Sequence, residues 1–148
     1  MKNLSIIIGT MLGASEYVAD RLTELLEDKH QVTNHLTPNI SVFDLSQQQT
    51  WIICTSTHGA GDFPDNIVKF VEQLQQQQPD LSQIKFAVCA LGDTNYDTFC
   101  QAGKIIDQLL LSLGGERIAP INLIDVSTGD LPEENAQKWL ENWIDQLS

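Results

Sequence analysis

Two periods of apolar residues alternate along this chain, and that alternation already predicts a fold class. Leu4 to Ile8 is a short run rich in isoleucine, as a buried strand requires. From Ser15 onward Val18, Leu22, Leu25 and Leu26 recur at helical spacing, with Glu16, Asp20 and Glu24 on other faces. Gln31 to Leu36 is half-polar, as expected of a strand at a sheet edge. Trp51 to Thr55 predicts another buried strand, and the helix after it carries Ile67, Phe70, Val71 and Leu74 and stops at Gln78-Pro79. Phe86 to Leu91 is apolar throughout. Ile105, Ile106, Leu109, Leu110 and Leu113 then form a helical stripe closed by Gly114-Gly115. Arg117 to Leu123 is a poorer strand, interrupted by Pro120. The last helix is predicted to start near Asp130-Leu131-Pro132, with Glu133 and Glu134 in its first turn, and to bury Ala136, Trp139, Leu140, Trp143 and Ile144.

Strands buried on both faces and separated by helices imply an α/β fold with a parallel sheet. Five strands with helices on both faces make a doubly wound sheet of order 2-1-3-4-5, and residues 1–148 are read as one domain. In such a sheet ligands bind beyond the carboxyl ends of the strands, where the strand order reverses. The loops after the first, third and fourth strands are therefore the place to look for chemistry.

Charge narrows the function classes. Twenty Asp and Glu stand against eight Lys and Arg, a formal net charge of −12, which argues against nucleic-acid backbones and anionic membranes as partners. The acidity serves solubility, or steers the protein towards basic partners; composition does not separate the two. No segment reaches the length of a membrane span. Lys2 with the run Leu4 to Leu12 resembles a secretory signal, but the same residues read as a first strand leading into a loop. Cys54, Cys89 and Cys100 are an odd number with no CxxC pair, and with His30, His35 and His58 they make no metal cluster. A reduced, cytoplasmic, monomeric protein is expected.

The first loop is Gly9-Thr10-Met11-Leu12-Gly13-Ala14-Ser15. It has hydroxyls, small residues and a helix start, the ingredients of an anion nest, but no lysine and therefore no Walker loop. Ser15 as a plain N-cap is the alternative. The second loop is Ser56-Thr57-His58-Gly59-Ala60-Gly61-Asp62-Phe63-Pro64, and the third is Gly92-Asp93-Thr94-Asn95-Tyr96-Asp97-Thr98-Phe99-Cys100. A phospho-receiver of the same topology would need clustered aspartates after strand one, an aspartate after strand three and a lysine after strand five. Ile8-Gly9-Thr10, Thr55-Ser56-Thr57 and Ile121-Asn122-Leu123 supply none of them. A Cys-x5-Arg phosphatase fails because Ala60 and Asn95 stand six residues after Cys54 and Cys89.

These loops resemble the flavodoxin family. Thr10, Gly13, Ser15, Ala19 and Leu22 fall in register on its phosphate-loop signature. The second and third loops are similar to stretches of the FMN domains of diflavin reductases and sulfite reductase flavoprotein. The small, free-standing MioC-type flavodoxins are similar over the whole chain, through segments such as STHGAGD, the Pro-Asp-Asn of residues 64–66 and YDTFC. The resemblance implies a flavodoxin-like fold, bound FMN, and one-electron transfer from a flavin-containing NADPH reductase to an acceptor enzyme. An iron–sulfur or radical enzyme such as biotin synthase is the implied acceptor. The alternative is an FMN-dependent reductase acting directly on a quinone or NAD(P)H.

Carried over residue by residue, the resemblance places Thr10, Met11, Leu12, Gly13, Ala14 and Ser15 at the phosphate. It places Thr57, His58, Gly59, Ala60, Gly61, Leu91, Gly92, Asp93, Tyr96, Phe99, Cys100 and Asp125 among the other cofactor-binding residues. Tyr96 falls on the outer stacking tyrosine, suited to a flavin face. His58 stands where an inner aromatic is frequent, either beside the flavin or as a solvated loop histidine. The Gly59 peptide is expected near flavin N5, where a glycine can flip at little steric cost and separate the two one-electron steps. Asp62, Asp93, Asp97 and Asp125 are expected around the rim, disfavouring added negative charge. The phosphate loop departs from the family pattern at Ser15, usually Thr, and at Leu12, where many members carry Thr. One hydroxyl fewer is worth ~1 kcal/mol of binding.

Overall fold

The structure, a computed structural model, describes residues 2–11, 13–58 and 61–147. The elements run β1 (Lys2–Gly9), α1 (Ala14–Leu26), β2 (His30–His35), β3 (Gln49–Ser56), α2 (Asp65–Gln77), β4 (Ile84–Gly92), α3 (Gln101–Ser112), β5 (Glu116–Arg117), β6 (Asn122–Asp125) and α4 (Pro132–Glu141). These strands pair in parallel throughout, in the order β2-β1-β3-β4-β5 with β6 also on β4.

Successive side chains of a strand point to opposite faces, and this sheet is filled on both. Leu4, Ile6 and Ile8 of β1, Ile52 and Cys54 of β3, and Cys89 and Leu91 of β4 pack under Val18, Leu22 and Leu26 of α1 and Ala136, Trp139 and Leu140 of α4. Ile7, Trp51, Ile53, Phe86 and Val88 face the other way, against Ile67, Phe70, Val71 and Leu74 of α2 and Ile106 and Leu110 of α3. The polar run expected to be an edge strand is the edge strand, β2. Cys54 and Cys89 are paired neighbours on β3 and β4, both fully buried. A hydrogen bond with Cys89, and then burial, hold the Cys54 thiol well above its ordinary pKa, so it stays protonated and inert.

Two expectations are corrected. The poor fifth strand is split: β5 pairs with Lys85 and Phe86, and β6 with residues from Cys89 to Gly92, along the same edge of β4. Residues 118–121 lie opposite only Ala87 and Val88, so the chain bulges there. Pro120 cannot donate to a ladder; its carbonyl instead accepts from Trp139 Nε1 at 2.9 Å. The last helix also ends early, at Glu141, and a 3₁₀ turn (Ile144–Leu147) follows. Trp143 is nevertheless buried, edge-on to Trp139 with ring centroids 5.1 Å apart.

Asp107 of α3 is the one buried carboxylate among the described residues. It accepts from Arg117 Nε at 3.0 Å and Nη2 at 2.5 Å, a two-pronged pair that anchors the short β5 to α3.

Candidate functional site

β1 ends at Gly9 and the chain turns through Thr10 and Met11 towards α1. Thr10 Oγ1 accepts from the Gly13 amide at 3.0 Å. Gly13 has φ of 93°, a left-handed conformation that glycine enters without the Cβ penalty other residues meet. It occupies the cap position of α1 and its carbonyl accepts from Tyr17 N at 3.1 Å. Ser15 is therefore not the N-cap. It lies inside the first turn, 1% exposed, and its buried Oγ meets no hydrogen-bond partner. The other such atoms among the described residues, His30 Nδ1 and Trp143 Nε1, lie outside the three loops. A buried hydroxyl without a partner costs ~1–3 kcal/mol.

The second loop closes on itself. His58 N donates to the Asp62 carbonyl and Asp62 N to the His58 carbonyl, each at 2.8 Å. Thr57 Oγ1 accepts from Ala102 N at 3.1 Å, so this loop caps the first turn of α3. Gly61 is buried against the Gln101 side chain. His58 is exposed. Leu12, Gly59 and Ala60 lie outside the described residues.

The third loop leaves β4 at Gly92, where a Cβ would stand 2.6 Å from the Cys100 amide nitrogen, so only glycine lets the loop fold back on α3. Asp93 accepts from Asn95 N at 2.8 Å through its side chain and from Tyr96 N at 3.1 Å through its carbonyl. This turn leaves Tyr96 64% exposed. Cys100 lies behind it, fully buried, with its Sγ towards the carbonyls of Ala90 and Ile124; burial pushes its thiol up to about 12. Phe99 packs under Lys104, whose Nζ is 5.5 Å from the ring centroid.

Asp125, at the end of β6, clasps the third loop to the next. It accepts from Thr94 Oγ1 at 2.6 Å, Thr94 N at 3.3 Å, Ser127 Oγ at 2.7 Å and Ser127 N at 3.0 Å. The Thr94 hydroxyl first, then Ser127, holds its carboxyl down at about 2. Its folded pKa lies below the unfolded value, so its stabilisation is complete above the unfolded carboxylate range of about 3.9 and is lost as pH falls through about 2. A carboxyl-detected NMR titration is expected to give Asp125 a midpoint near 2. In Thr94→Val the midpoint should move up towards the ordinary range; an unmoved midpoint would show that Thr94 does not hold the carboxylate.

The loops converge on one cleft of about 570 Å³ at the carboxyl ends of β1, β3 and β4. Met11 and Ala14 line it from the first loop, Thr57 and His58 from the second, and Leu91, Gly92, Asp93 and Tyr96 from β4 and the third. Thr10, Gly13, Ser15, Gly61, Phe99, Cys100 and Asp125 stand around or behind it without forming its wall. Ser56, Thr98 and Val126 line it too, and sequence reasoning did not single them out. For Val126 the missed signal was its place next to Asp125, whose turn carries it to the rim. No lysine or arginine is among the described lining residues.

Comparison with known proteins agrees with this fold. The sequence profile described as Flavodoxin matches residues 6–139. The chain is 40% identical to Protein MioC of Escherichia coli O157:H7 over 147 residues, 99% of each chain. It is 35% identical to the sulfite reductase [NADPH] flavoprotein alpha-component of Bacillus subtilis, matching over 99% of this chain and 24% of that one. Among solved structures, a cysteine-to-alanine mutant of the flavodoxin from Pseudomonas aeruginosa superposes with a TM-score of 0.84 at 26% identity, over 97% of both chains.

Proposed function

Because this chain belongs to the flavodoxin family and is an FMN-binding electron carrier rather than an enzyme, we propose that it passes single electrons from a flavin-containing NADPH reductase to an acceptor enzyme. The observation that carries this reading is the convergence of three loops on one open cleft at the point where the strand order reverses.

The residues present fit FMN. Ser15 Oγ lacks a partner beside the left-handed turn at Gly13, and with Thr10 and the amides of Met11 and Ala14 it would hold a phosphate without a cation. The exposed ring of Tyr96 offers a face for stacking, and Thr57 and His58 would flank the opposite side, with Gly61 behind their loop. Leu91, Gly92 and Asp93 would border the ring; Phe99 and Cys100 back their loop, and Asp125 ties it down. When bound, FMN supplies the ability to accept and donate electrons one at a time. Asp93 on the cleft wall and the ionised Asp125, tied to the same loop, put negative charge at or near the rim, which raises the cost of adding more within it.

The partner reading rests on the likeness to a reductase component that carries a flavodoxin-like segment in its own chain. The acceptor we propose is an iron–sulfur or radical enzyme such as biotin synthase. A monomer in the cytoplasm suits three cysteines that are buried and free. No helix among the described residues is long and apolar enough to cross a membrane.

The purified protein is expected to be yellow, to release FMN on denaturation, and to carry electrons from NADPH only when a flavin reductase is added. With net charge −12, transfer from a basic reductase should slow as salt rises. Sustained oxidation of NAD(P)H, or reduction of a quinone by it, without a partner would replace the carrier with a direct reductase. A flat salt response would leave the acidic surface to solubility alone.

A further inference from the structure

Asn66 does not line the cleft, yet its side chain is tied to the turn that opens it. It is the second residue of α2 and half-buried. Its Nδ2 donates to the carbonyls of Ile8 at 2.6 Å and Leu36 at 2.8 Å, and its Oδ1 accepts from Thr10 N at 3.0 Å. Both donor hydrogens are thereby used, and the carbonyl as well. The β1–β2 ladder ends at the pair Ile7–His35, and the two carbonyls belong to the residues just past it. The amide thus joins both strand ends where their own pairing stops, a place at which backbone polar groups need partners.

From there the constraint runs into the turn. A fixed Thr10 amide orients Thr10, and Thr10 Oγ1 accepts from Gly13 N, the left-handed residue that leads to the buried hydroxyl of Ser15. We infer that Asn66 is a positioning residue for the phosphate end of the cofactor, holding the phosphate turn in shape from outside without touching the ligand. This inference rests on the FMN reading of the cleft. A neutral side-chain amide suits the task because it donates twice and accepts once. A carboxylate would keep the acceptor, lose both donors and add negative charge near a phosphate.

The test compares FMN with riboflavin, which has the same ring and no phosphate, in flavin-free wild-type protein and in Asn66→Ala. FMN affinity is expected to fall about tenfold or more, the net worth of a lost hydrogen bond or two, while riboflavin affinity stays unchanged. Equal losses for both flavins, or no loss for either, overturn the inference, since a merely structural role would not separate them. If the alanine variant does not fold, the isosteric Asn66→Asp decides by the same ratio, with a larger loss for FMN expected. A wild-type measurement stands beside both: the Thr10 amide should be protected from hydrogen exchange, and an unprotected one overturns the inference without any variant. Wild-type protein with no preference for FMN over riboflavin counts against the cofactor reading. A wild-type preference retained in full by the variants counts against Asn66 alone.

Discussion

Replacing Tyr96 with alanine is expected to weaken flavin binding by roughly 10- to 100-fold. The ring is 64% exposed, on the wall of the cleft, and its loop is held by the Asp93 turn and the Thr94–Asp125 clasp. An aromatic ring stacked on a planar heterocycle contributes ~1–3 kcal/mol, and each 1.4 kcal/mol is about a factor of ten. Because the ring and not the phosphate is the contact, FMN and riboflavin should lose affinity alike, unlike the selective loss expected for Asn66→Ala. Flavin fluorescence should recover on titration of the variant, and Tyr96→Phe should stay close to wild type. Unchanged affinity and quenching in the alanine variant would remove Tyr96 from the site.

Trp51→Ala should be the most destabilising of these changes, by ~3–5 kcal/mol. Trp51 lies on β3, fully buried, with ring centroids 4.8 Å from Phe43 and 5.9 Å from Phe70. Its Nε1 donates to Gln49 Oε1 at 3.0 Å. The alanine would leave a cavity between the sheet and α2 and strip that amide of its donor. Urea unfolding should show the loss as a lower midpoint with an unchanged slope. Trp51→Phe should recover part of it. A loss under about 1 kcal/mol would mean that the Phe43 segment collapses into the space.

Tyr96 is legible in the sequence and the role of Trp51 is not, and the difference has a physical cause. Tyr96 stands out because a polar-tipped aromatic sits in a loop of small residues. Trp51 reads from the sequence only as one apolar residue of a strand; its ring partners are Phe43, from a connecting segment, and Phe70, from a helix. Ser15 shows a similar limit. As a hydroxyl at a helix start it satisfies the ordinary cap rule, and only the folded chain shows Gly13 at the cap and the Ser15 hydroxyl buried without a partner. Asn66 enters the sequence only as the last residue of a Pro-Asp-Asn segment, and the strand ends it joins come within its reach only in the folded chain.

Periodicity and turn residues determined the local elements, because helix and strand repeats are properties of neighbouring positions. Their alternation determined the layers, because a strand buried on both faces needs helices above and below it. The glycine- and hydroxyl-rich loops determined the chemistry a ligand would meet. Only the tertiary structure decided how those loops are held. The split of the fifth strand, the Asp125 clasp and the Asn66 bridge all depend on partners distant in sequence. Each is a polar or packing demand that no local pattern satisfies, so it becomes visible only where the folded chain brings the partner.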